Sequence, residues 1–203
     1  ILALQAGEID IAVLVPPSQI EQINATDGIS VVSGPTSRPI YMGMNTIAEG
    51  PLQDVRVRQA LCYALDVPAI INSVLLGNAE QIAALSLPCW AGNDTSIKPY
   101  ERDLAKAAAL LAEAGYPNGF SCRYHVGHMA LRQAYGEFFA NALSQIGINV
   151  EIVALDAATN AQALKVEHNF DIYTWGIAPT NGDIDFANRF FYTDAPNNIF
   201  GYS

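Results

Sequence analysis

Six side chains in this chain have the chemistry to hold a ligand: Trp90, His125, His128, Trp175, Asp183 and Asp185. His125 and His128 are three apart, just past an apolar run, so on a loop both imidazoles could reach one metal ion or one ligand. They could equally be two loop histidines with no shared task. Asp183 and Asp185 stand two apart and could share acid–base work. The plainer alternative is that Asp183 shapes a turn and Asp185 caps a helix beginning at Phe186. Trp175 ends the apolar run "FDIYTW", and the turn-rich "GIAPTNGD" follows it. An indole at such an exit can leave one face open for stacking. Trp90 lies in the irregular stretch "LSLPCWAGNDTSIKP", and loops that long are often functional.

Several chemistries have no pattern here. The nucleophile elbow, the zinc-protease HExxH, the P-loop and the GxGxxG dinucleotide loop are all missing from the sequence. Cys62, Cys89 and Cys122 are odd in number and lack CxxC spacing, so neither a zinc knuckle nor a redox pair is expected. They read as small, buried residues, mostly free, with one disulfide as the alternative. No metal site or cofactor is expected, and the chain is not read as an enzyme. Acids outnumber bases 20 to 10, which argues against a nucleic-acid partner. No apolar stretch is long enough to span a bilayer.

The elements that would position these residues are legible as patterns. "LALQAG" reads as a short helix stopped at Gly7, and Ile9 to Val15 as a strand. "ISVVSGP" and "RPIYMGMN" are short β-rich runs. Asp54 is expected to cap a helix whose face carries Val57, Leu61, Ala64 and Leu65. Asp66 is expected to cap a second, with Pro68 in its first turn and Gly77 as its stop. Leu104, Ala107, Ala108 and Leu111 form the stripe of the clearest helix, which Gly115 ends. "SCRYHV", "GINVEIVAL" and "FDIYTW" are strands, with helices near 131–145 and 159–167 between them. Strands alternating with helices predict an α/β fold with a parallel or mixed central sheet flanked by helices. The chain has 203 residues. No leader pattern opens it, because Glu8 and Asp10 follow "ILALQAG" directly, and it reads as a piece of something longer.

The motifs "AGEIDIAVLVPP", "YMGMNT", "PLQDVRVRQALCYALD", "YERDLAKAAALLAEAGYPNGF", "LSQIGINVEIVAL", "FDIYTWG" and "GDIDFANRFF" occur in that order. Together they resemble the extracellular solute-binding proteins of family 5, receptors of dipeptide, oligopeptide, nickel and glutathione ABC importers. The resemblance implies the second lobe of a type II, Venus-flytrap fold, with residues 1–40 leading in from a first lobe and 41–203 forming the ligand-binding lobe. It implies capture of a peptide or peptide-like molecule by lobe closure and delivery to the transmembrane subunits of an ABC permease. The implied setting is the periplasm, or the cell exterior on a membrane anchor, and the implied state is a monomer. In such receptors a Trp at this strand end commonly lines the cleft, and Trp175 matches it. The classical peptide receptors carry an Asp three residues later, where this chain has Ala178, while "TNGDID" is more similar to the glutathione-receptor branch. Two alternatives stay open. One is a metal-chelate or opine-like receptor using His125 and His128. The other is the ligand-sensing domain of a transcription regulator.

Overall fold

Four helices start at an aspartate whose carboxylate takes an otherwise unpaired backbone N–H of the first turn. Asp54 accepts from the Arg56 amide at 2.8 Å and opens α3, Val55–Ala64. Asp66 accepts from Ala69 at 2.9 Å and opens α4, Val67–Ser73. Both caps are as the sequence predicts. Asp103 and Asp156 do the same for two further helices, Leu104–Glu113 and Ala157–Lys165. The computed structural model of the chain describes residues 1–127, 130–177 and 183–202, with Ala187 by its backbone alone. In chain order the remaining α-helices and strands are α1 (Leu2–Gln5), α2 (Ile20–Asn24), β1 (Ile40–Met44), β2 (Ser121–Val126), α6 (Ala130–Ser144), β3 (Asn149–Ala154), β4 (Ile172–Gly176) and α8 (Ile184–Asn188). The helices opened by Asp103 and Asp156 are α5 and α7. Gly115, at φ 91°, adopts the left-handed geometry that closes α5.

The strands lie in the order β1-β4-β2-β3. β1 runs antiparallel to β4, while β4, β2 and β3 are mutually parallel. This is the expected mixed sheet flanked by helices. Side-chain alternation divides it into two faces. Tyr124, Val126 and Ile172 point into the main core with Val57, Leu61, Leu111, Phe139 and Leu143 of α3, α5 and α6. Tyr173 points the other way and packs with Leu164 of α7, Phe170, Ile199 and Phe200. Gly136 lets α6 lie close on the sheet, since a Cβ there would be 2.7 Å from the Tyr124 ring.

Four local expectations need correction. Residues 9–15 form no strand, although their apolar alternation is real. A strand requires a hydrogen-bonded neighbour, and none of the described strands lies beside this segment, so Ile11, Val13 and Leu14 are exposed. "ISVVSGP" likewise forms no strand, and only the second β-rich run gives one. On α5, Ala108 is exposed and Leu110 packs on the core in its place. Cys89 is exposed rather than buried, whereas Cys122 is buried and Cys62 partly so.

Candidate functional site

Ligands of open α/β sheets bind beyond the carboxyl ends of the strands, at the point where the strand order reverses. That condition holds between β2 and β4. The chain leaves β2 through α6 on one face and enters β4 from α7 on the other. That end of the sheet carries Gly127, just past β2, and Trp175 and Gly176 of β4 with Ile177 just past it.

Trp175 is half-buried there. Its ring lies 5.6 Å from that of Tyr173, and Lys165 Nζ stands 5.9 Å from its centroid. Opposite it in the antiparallel ladder is Tyr41. The Tyr41 hydroxyl is buried and has no hydrogen-bond partner among the described residues, and burial pushes its pKa above the usual tyrosine range. The irregular stretch containing Trp90 folds back against this strand end. Trp90 is 5% exposed and packs on Ile177, with Phe186, Phe190 and Phe191 around them. Trp90 is therefore core, and Trp175 is the indole that keeps surface.

Ala91 bridges Asp183 in parallel pairing, which brings the acidic turn beside Trp90. Asp183 accepts the Asp185 amide at 2.9 Å, and α8 begins at Ile184. The helix starts two residues earlier than the expectation at Phe186, so Asp183 occupies the capping position and Asp185 falls in the first turn. There Asp185 pairs with Arg189 at 3.1 Å and accepts the Tyr192 hydroxyl at 3.2 Å. Its charge is already compensated.

His125 is elsewhere. It stands in register with Tyr173, is 3% exposed, and packs near Phe170, with Nδ1 unpartnered among the described residues. Burial, with the Arg123 charge second, lowers its pKa. It borders a recess of about 370 Å³ between β2, β3 and α7, whose lining shares no residue with the cluster around Trp175. His128 and Ala178 lie outside the described residues, so the two-histidine pairing has no geometry here. Among the described residues no group of three His, Cys, Asp or Glu is arranged to hold a metal ion.

Three cations near this end of β4 escaped the sequence reading. Arg132 rises from the first turn of α6, crosses the end of β2 at Gly127, donates to the Tyr173 hydroxyl and stacks over that ring at 4.9 Å. Arg38 lies over Gly176, where a Cβ would be 2.7 Å from its Nε. Lys165 stands over Trp175. A cation in the first turn of a helix opposes the helix dipole, and that misplacement was the one signal the sequence offered for Arg132.

Comparison with known proteins places this geometry in context. The sequence profile described as "Bacterial extracellular solute-binding proteins, family 5 Middle" matches residues 1–198. The chain is similar to the glutathione-binding protein GsiB of Escherichia coli K12, with 31% identity over 189 residues, 91% of this chain and 36% of that protein. It therefore spans about a third of that relative's length. Its fold is that of type II periplasmic binding proteins. It superposes on the periplasmic binding protein DppA of Helicobacter pylori, solved with the peptide STSA, with a TM-score of 0.86 and 26% identity over 99% of this chain and 40% of that one. It superposes on the binding protein AgaA of A. tumefacien R10, solved with agropinic acid, at 0.82 and 27% over 100% and 42%.

Proposed function

Because the chain belongs to the bacterial extracellular solute-binding proteins of family 5, we propose that it is part of the substrate-binding component of an ABC importer. Residues 41–203 form its ligand-binding lobe, and residues 1–40 lead in from the other lobe. The ligand is a peptide or peptide-like small molecule. It touches both lobes only when they close on it, so binding shifts the population to the closed form. That form docks on the transmembrane subunits of the permease. No bond is made or broken, in keeping with a family named for solute binding. The receptor acts as a monomer in the periplasm, or outside the cell on a membrane anchor.

One observation carries this reading. Trp175 retains surface at the carboxyl end of β4, beside the point where the strand order reverses, while Trp90, the other indole of that end, is buried. Its role is to stack on the ligand, with Asp183 and Asp185 at the rim, while His125, beside Tyr173 in the sheet, borders the separate recess. Trp90 supports the floor. Similarity to the agropinic-acid-bound protein supports a second reading, an opine-like ligand in the same crevice. Ligand titration of the intact protein against its Trp175→Ala variant tests the assignment.

A further inference from the structure

Ile177 and Asp183 bracket the connection between Trp175 and α8, and residues 86–93, far away in sequence, hold both. At one end Trp90, 5% exposed, packs on Ile177, 1% exposed, in a cluster that Trp175 also joins. At the other end Ala91 pairs with Asp183, and its carbonyl accepts the Ile184 amide at 3.4 Å. Trp90 and Ala91 are neighbours in the chain, so the two attachments are a single peptide unit apart.

The loop that makes them is tied to itself. Ser86, which is buried, donates its hydroxyl to Asn93 Oδ1 at 2.5 Å and joins the two ends. Between them the Trp90 amide donates to the Leu87 carbonyl at 2.9 Å, and the Asn93 amide to the Trp90 carbonyl at 3.2 Å. Leu87 packs against the cluster of Trp90 and Ile177. Gly92 fits the loop to α8. Its φ of 82° lies in the left-handed region, and a Cβ there would stand 2.8 Å from Ile184 Cγ2. A segment so connected has given up its conformational freedom on folding. Ordering completed in the fold does not have to be repeated when a ligand arrives.

Resting on the reading that Trp175 and the acidic turn face the ligand, we propose that the 86–93 loop is a positioning clamp. It sets the spacing between the Trp175 indole and the turn at Asp183, and that spacing selects the length of peptide-like solute that reaches both. Trp90, Ala91 and Gly92 touch no ligand and act through Ile177, Asp183 and Ile184.

The test uses the intact protein. Glutathione and di- to pentapeptides are titrated by calorimetry into the wild type, Trp175→Ala, Gly92→Ala, Gly92→Ala/Ile184→Ala and Ser86→Ala, and urea midpoints are measured for each. Gly92→Ala binds the tightest compound roughly threefold to tenfold more weakly. It also changes the ratio of affinities between peptides of different length, because the spacing itself has moved. Truncating Ile184 removes the atom that the new methyl group meets, so the double variant lies nearer the wild type. Ser86→Ala unties the loop without straining its backbone, shifts the same ratio, and decides the matter should Gly92→Ala not fold. A loop that serves stability alone lowers the urea midpoint and leaves the ratios unchanged, and that result would overturn the proposal. So would loop variants that bind like the wild type where Trp175→Ala does not, an outcome that leaves the solute reading standing. A wild type that binds none of these compounds, or a Trp175→Ala variant that binds as tightly as the wild type, retires that reading and the clamp with it.

Discussion

Gly43 of β1 lies directly beneath the ring of Phe200. A Cβ at Gly43 would stand 2.1 Å from Phe200 Cζ, and Phe200 is 1% exposed. The contact closes the sheet face opposite α3 and α6. Gly43→Ala forces either the ring or the strand to move. Overpacking of this kind costs about 1–3 kcal/mol. Urea unfolding of the intact protein should show a lower midpoint, and an unchanged midpoint would mean that Phe200 is free to shift.

The Asp54 cap also predicts an acid limb. Hydrogen bonds from the Arg56 side chain and amide hold the Asp54 carboxyl at about 2, below the roughly 3.9 of an unfolded chain. A carboxylate with a depressed folded pKa stabilises the fold above its unfolded value and loses that contribution as pH falls through its folded value. Stability should therefore decline between about pH 4 and pH 2, and Asp54→Asn should make that decline shallower. Parallel slopes for both proteins would assign the acid limb to other groups.

The cysteines should differ in reactivity. Burial pushes the Cys62 thiol to about 11 and, with the charge of Asp171, the Cys122 thiol to about 12. Thiolate is the reacting form, so both should resist iodoacetamide in the native state. The exposed Cys89 should be modified first, and denaturation without reductant should make all three available. Native labelling of Cys122 before Cys89 would contradict the packing described.

The parts legible in the sequence are those fixed by local chemistry. Asp54 and Asp66 were readable as caps because a carboxylate before an amphipathic run meets unpaired amides whatever the tertiary context. The strands β2, β3 and β4 were readable from their apolar runs, and Trp175 from the turn that follows it. Residues 9–15 misled because alternation records the chance to pair and not the presence of a partner. Trp90 and Trp175 look alike along the chain, and only the folding back of the 79–99 stretch buries one and leaves the other half open. Arg132 was out of reach because its contact with Tyr173, 41 residues away, depends on the order of β4 beside β2. The acidic turn was placed two residues late, since both Asp183 and Asp185 are good capping residues and the Ala91 bridge decides between them.

The most direct test of the central claim is calorimetric titration of the intact protein and its Trp175→Ala variant with glutathione, succinate and a panel of di- to pentapeptides. An aromatic anchor that stacks on a ligand is worth about 2 kcal/mol or more, which is more than tenfold in affinity. At least one compound should bind the wild type at one site per chain and bind Trp175→Ala more than tenfold more weakly, with the urea midpoint nearly unchanged. Equal affinities, or a variant that unfolds while its folded fraction binds normally, would make Trp175 a core residue and place the ligand elsewhere.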